Sequence, residues 1–139
     1  MEDKSKTATV FTRIINGETA AYKLWENENF IAILDIHPIN LGHTLLIPKQ
    51  QIDYIFDLSN ELYDSMWRTV RWLSPYIQQA TECKRIGIAV EGFSVPHVHV
   101  HLVPVNSGNE LNPERAISAT SEQLINIQNQ ICSIIQASR

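Results

Sequence analysis

The chain has 139 residues, 44% of them hydrophobic and 19% charged, and a formal net charge of −4. That balance predicts one globular domain over 1–139 with a real core, and the missing basic excess excludes a dedicated nucleic-acid binder. Cys83 and Cys132 form no C-x-x-C and no disulfide framework, and a charged start with no apolar run behind it predicts neither a secretory signal nor a membrane span, hence a cytoplasmic protein.

Residues 1 to 8 are expected to be a polar, mobile end. Val10, Phe11, Ile14 and Ile15 then recur at helical spacing, and Asn16-Gly17 supplies a stop. Tyr22 to Trp25 alternates, turns at Glu26 to Asn29, and meets the apolar run Phe30 to Leu34, which predicts an antiparallel hairpin. Asp35 to Gly42 is a loop punctuated by Pro38 and Gly42, and His43 to Ile47 is a third strand stopped by Pro48. Ser59 is a candidate N-cap for a long helix whose stripe is Leu62, Met66, Val70, Leu73 and Ile77, with a kink expected at Pro75. Arg85 to Glu91 predicts a fourth strand, with Ile86, Ile88 and Val90 on one side.

The fifth strand carries the chemistry: Pro96-His97-Val98-His99-Val100-His101-Leu102-Val103-Pro104. Alternate residues of a strand face opposite ways, so three imidazoles would line one face and three aliphatic groups the core. Behind it, Thr120-x-x-Gln123 resembles a capping box for a C-terminal helix over 119–137, with Leu124, Ile127, Ile131, Ile134 and Ile135 as its stripe. The short strand links favour an α+β domain with an antiparallel sheet.

Three functions suit alternate histidines. One metal cannot readily take all three, since His97 and His101 stand roughly 13 Å apart by the rise of a strand. A pair such as His97 and His99, completed by His43 or His37, remains a metal-binding alternative. A solvent-facing edge strand is the unreactive alternative. Nucleophilic catalysis suits best: a neutral imidazole attacks phosphorus and leaves again, while its neighbours orient it, bind phosphate oxygens and protonate the leaving group.

His97-Val98-His99-Val100-His101-Leu102-Val103 resembles the signature of the histidine triad (HIT) family, three histidines alternating with apolar residues. Phe11-Thr12-Arg13-Ile14-Ile15 is similar to the family's N-terminal F-x-x-I-I. Asp35-Ile36-x-Pro38 and Gly42-His43-x-Leu45-x-Ile47-Pro48-Lys49 are similar to its D-I-x-P and G-H-x-L-x-I-P-K. The match runs over roughly residues 10 to 104. It implies a HIT-like fold, a five-stranded antiparallel sheet with a long central helix, and a homodimer.

The resemblance further implies hydrolysis or transfer at the α-phosphorus of a purine nucleotide conjugate, adenylated or dinucleotide-polyphosphate-like, through a nucleotidyl-histidine intermediate. On that resemblance His99 is the nucleophile. His101 contacts the phosphate and the leaving group, and His97 orients its neighbours, with His43 close behind. Asp35 accepts from the ribose hydroxyls and Ile36 lines the sugar site. Phe11, Ile14 and Leu45 form the slot for the base, and Ser94 donates to phosphate. No cofactor is implied.

The chain departs from the family pattern in three places. Phe93 stands where many members have glutamine, in a short turn from Glu91 to Pro96. Thr9 and Thr12 occupy the positions of a zinc-binding C-x-x-C, and Gln51 that of a histidine, so no structural zinc is expected. The C-terminal helix extends past the triad, as extra core or dimer contact, or as a wall on the leaving-group side. A nucleotide-binding module that turns over poorly is the alternative to an enzyme.

Overall fold

Two runs, Phe30 to Leu34 and Leu45 to Pro48, are apolar without alternation, and the fold explains why. The computed structural model describes residues 7–138, so the expected mobility of residues 1–6 lies outside the described residues. In it, β1 (Lys23–Glu26), β2 (Phe30–Leu34), β3 (Thr44–Pro48), β4 (Arg85–Ala89) and β5 (Val100–Val105) form one antiparallel sheet in the order β1-β2-β3-β5-β4. β2 and β3 lie inside it and are buried on both faces, the condition that makes a strand continuously apolar.

One face carries the main core. Phe30, Ala32, Leu34, Leu46, Val98, Val100 and Leu102 pack there under α2 (Asn60–Thr81) and α3 (Ser121–Ala137). The other face carries a smaller cluster of Ile31, Ile33, Leu45 and Ile47, closed by Phe11 of α1 (Val10–Ile15). Burying a Val or Leu side chain contributes roughly 1.5–3 kcal/mol. Val98, Val100 and Leu102 together therefore hold the register, because a slip by one residue would drive the histidines into the core.

The caps fall where the sequence predicts them. The Ser59 side chain accepts from Leu62 N–H, and Thr120 and Gln123 form a complete capping box. Met66, Val70, Leu73 and Ile77 are the buried stripe of α2, which runs through Pro75 without interruption, with that proline on its exposed side. Leu124, Ile127, Ile131 and Ile135 are buried along α3, and Ile134 is only half-buried. Near its middle α3 bonds to the sheet, Gln128 Nε2 donating to the Lys23 carbonyl at 3.0 Å.

The histidine segment differs from the expectation. Strand β5 begins only at Val100. Pro96 has no N–H for a ladder, and His97 N–H turns back onto the Val95 carbonyl at 2.8 Å. Val98 N–H goes to the Ile52 carbonyl at 2.8 Å, outside the sheet. The alternation survives the bend because burial of Val98, Val100 and Leu102 enforces it. The loop into β3 turns at Gly42, whose φ of +98° suits glycine, and a Cβ there would stand 2.6 Å from Thr81 Cγ2. Among the described residues, no helix is long and apolar enough to cross a membrane.

Candidate functional site

The hydrogen bonds of the four histidines assign each ring its proton, since a carbonyl only accepts and a backbone N–H only donates. His97 is fully buried, and its Nε2 lies 2.8 Å from the Pro48 carbonyl. In the neutral ring that nitrogen carries the proton and donates. His97 Nδ1 is then an acceptor, and the Thr9 hydroxyl donates to it at 2.7 Å. His99, 2% exposed, places Nδ1 2.7 Å from the His97 carbonyl. The proton of neutral His99 therefore sits on Nδ1, and Nε2 keeps its lone pair.

On β5, His101 pairs across the ladder with Leu45. Its Nδ1 lies 2.9 Å from His43 Nε2. Ile39 N–H donates to His43 Nδ1 at 3.1 Å, so His43 carries its proton on Nε2 and donates it to His101. Neutral His101 in turn keeps its proton on Nε2. Asp35 closes the row: Oδ1 accepts from His37 N–H at 2.9 Å, and Oδ2 lies 3.7 Å from His43 Nε2.

Burial sets the electrostatics. Desolvation pushes the His101 pKa down to about 4, helped by neighbouring His43 and His99 and opposed by Asp35. Desolvation also lowers His43, against the pull of Asp35, and lowers His97, against its bond to the Pro48 carbonyl. His43, His97 and His101 are thus neutral imidazoles at neutral pH, each with one tautomer.

Of the other expected site residues, Phe11 and Leu45 are brought together as buried members of the smaller cluster, with Ile14 half-buried against them. The Phe11 ring meets His97 and His99 edge to face, at centroid distances of 5.7 and 5.0 Å. Ile36 is half-exposed at the rim. Ser94 and Phe93 lie on the surface and line a cavity of about 270 Å³ together with Asp35, His43, Glu91 and His101. A larger cleft of about 580 Å³ runs beside α1; His37, His43 and His101 are among the described lining of the smaller cavity, and His99 is among the lining of neither.

The C-terminal helix contributes no residue to the described lining of the smaller cavity. α3 packs on α2 and β1, and the wall of the cavity comes from Leu111, Pro113 and Ala116 in the segment before it. That segment is strapped across the site. Ile117 N–H donates to the Pro38 carbonyl at 3.3 Å and Ala119 N–H to the Ile36 carbonyl at 3.2 Å. Arg115 Nη2 donates to Asn40 Oδ1 at 3.1 Å and lies 3.3 Å from Glu110 Oε2. Sequence reasoning missed these residues, as it missed the Pro48 carbonyl and the Ile39 N–H. Leu111, Pro113 and Ala116 carry no motif, and backbone groups leave no trace in residue identity.

The HIT domain profile matches residues 16–108. The chain belongs to the HIT family. Protein hit of Bacillus subtilis is 32% identical over 102 residues, 68% of this chain and 69% of that protein. Adenylylsulfatase HINT3 of Arabidopsis thaliana is 27% identical over 132 residues, 91% of this chain and 67% of that one. A histidine triad nucleotide-binding protein of Sulfolobus tokodaii superposes with a TM-score of 0.81 at 28% identity, covering 91% of each chain.

Within this HIT domain, the positions of the family's zinc-binding residues do not suit zinc. Zinc takes thiolate, imidazole or carboxylate. Thr9, Thr12 and Gln51 offer two hydroxyls and an amide, and they bond to one another: Thr12 Oγ1 donates to Gln51 Oε1 at 2.6 Å and Thr9 N–H to the same oxygen at 3.0 Å. The alternative of a His97–His99 metal pair also fails on donors, since protein groups engage both His97 nitrogens and His99 Nδ1. Asp35, His43 and His101 bring one ligand atom each within 4.8 Å of one another. There, however, Ile39 leaves the His43 proton on Nε2, which makes the 2.9 Å contact to His101 a hydrogen bond.

Proposed function

We propose that this HIT protein hydrolyses purine nucleotide conjugates at the α-phosphorus through a covalent nucleotidyl-His99 intermediate. The observation that carries the reading is the 2.7 Å bond from His99 Nδ1 to the His97 carbonyl, which leaves the Nε2 lone pair for attack. A new bond from Nε2 to phosphorus forms as the bond to the leaving group breaks. A bound phosphate anion beside His101 favours its cation; the His43 Nε2–H, which in the neutral pair donates to His101 Nδ1, then turns to Asp35 Oδ2, 3.7 Å away, and His101 Nε2–H supplies the leaving atom's proton. In the second displacement water attacks phosphorus, the bond to Nε2 breaks, and His101 takes the water proton. His43 and Asp35 steady that ring. The Asp35 carboxylate is suited to two vicinal ribose hydroxyls, the Phe11, Ile14 and Leu45 surface to a purine base, and Ser94 to a phosphate oxygen.

The cavity also bears on the leaving group. Among its described lining residues the charged side chains are Asp35 and Glu91, with no Lys or Arg. Those carboxylates would repel a polyphosphate leaving group, whereas they would not repel an amine. The expected result is that an adenosine phosphoramidate of a small amine turns over at least roughly tenfold faster in kcat/KM than diadenosine polyphosphate, with a nucleotide-mass adduct on the protein after rapid quench. No adduct from either substrate rejects the covalent reading. Faster polyphosphate turnover rejects the leaving-group assignment alone.

The family resemblance to homodimers has support in β4, a sheet edge with unpaired backbone groups. Ile88 on it is 45% exposed, beside a groove lined by Trp67, Val70 and Arg71 of α2. Sedimentation equilibrium is expected to return twice the chain mass, and a monomer mass at micromolar concentration overturns this assignment.

A further inference from the structure

The N-cap of α1 does more than start a helix. Thr9 is 8% exposed, and its hydroxyl oxygen accepts from Thr12 N–H at 3.1 Å while its proton points a bond at His97 Nδ1. A second contact, to Thr12 Oγ1, is longer at 3.3 Å, and the Thr12 hydroxyl proton is already placed on Gln51 Oε1. Gln51 is held in turn, its Nε2 donating to the Thr7 carbonyl at 2.9 Å. Each donor in this chain has one direction: Gln51 is oriented by Thr7, Thr12 by Gln51, and Thr9 is left to donate to His97.

The far side of the ring meets the Pro48 carbonyl, which needs a proton on Nε2. The two bonds therefore demand opposite roles of the two nitrogens and fit only one neutral tautomer. The same residue's carbonyl fixes His99, and the helix that Thr9 caps carries the Phe11 ring resting on both histidines.

We infer that Thr9 is a positioning residue, whose hydroxyl, oriented by the Thr12–Gln51 relay, locks His97 as its Nε2–H tautomer and thereby holds the His97 carbonyl under His99. The assignment rests on the proposed role of His99 only for its effect on rate; the tautomer stands by itself.

The test is a long-range ¹H–¹⁵N correlation spectrum of the ¹⁵N-histidine-labelled protein near pH 7. The expected pattern for His97 is a protonated Nε2 and an unprotonated, hydrogen-bonded Nδ1. In Thr9→Ser, which keeps the donor, the pattern persists and kcat stays close to wild type. In Thr9→Val, which keeps the shape, the Nδ1 resonance moves to the position of an unbonded nitrogen. There kcat also falls by about tenfold with KM little changed, a loss typical of a misplaced reacting group. An Nδ1–H tautomer in the wild type overturns the proposal, as does a Thr9→Val spectrum identical to wild type. Should Thr9→Val fail to fold, the wild-type and Thr9→Ser spectra still decide the tautomer. A wild type that turns over no nucleotide conjugate rejects the proposed function and leaves this test intact.

Discussion

His99→Ala is expected to abolish turnover, with kcat reduced on the order of 10⁴-fold or more, the scale seen when a covalent nucleophile is removed. The reason lies in how the three triad histidines divide their nitrogens. His97 has both committed, Nε2 to the Pro48 carbonyl and Nδ1 to Thr9. His101 has Nδ1 committed to His43 and its proton on Nε2. Only His99 combines a protein-bound Nδ1–H with a lone pair on Nε2. The quench experiment should therefore lose the nucleotide adduct in His99→Ala and retain it in His101→Gln. A wild-type rate in His99→Ala, or an adduct mapping to His97 or His101, removes the mechanism. Because His99 is buried under Phe11, the variant should also be checked by its melting curve, so that a folded but inactive protein is distinguished from an unfolded one.

The second large effect is in acid, and it is read as stability. His101 has its folded pKa lowered to about 4, and His43 and His97 are lowered as well. In the unfolded chain the same rings titrate near about 6.5. Between those values the unfolded state binds protons that the folded state refuses, so stability rises with pH there. It is complete above about pH 6.5 and is lost as pH falls toward the folded values. Each such proton steepens the curve by about 1.4 kcal/mol per pH unit. His101→Gln removes one of them, and the slope of unfolding free energy between pH 6.5 and 4, measured with urea, should flatten by up to that amount. An unchanged slope means that His101 titrates normally in the folded protein. The same substitution is expected to lower kcat by roughly 10²- to 10³-fold, as the loss of a general acid and phosphate donor does.

Much of this was legible from residue order, for identifiable physical reasons. The strip His97 to Val103 announces itself because side-chain direction alternates along an extended chain, and the burial of Val98, Val100 and Leu102 beneath the helices bears out the aliphatic face. Ser59 and Thr120 cap helices through bonds to residues three positions away, which are local and therefore visible in sequence. The runs of β2 and β3 read as strands from their apolar residues, whereas their interior place, with both faces covered, came from the fold.

What the sequence determined by itself is the list of chemical groups and the family they point to: three alternate histidines, Asp35, and the Gly42-His43 entry to β3. What only the tertiary structure decided is how those groups differ. Three like imidazoles become unlike because the Pro48 carbonyl claims one nitrogen of His97, the His97 carbonyl one of His99, and His43, itself fixed by the Ile39 N–H, one of His101. Long-range contacts complete the assignment, from Thr9 across to His97 and from His43 across to His101. Backbone donors and acceptors are the same at nearly every position of a chain, so their effect on a side chain's tautomer is set by folding and is invisible before it.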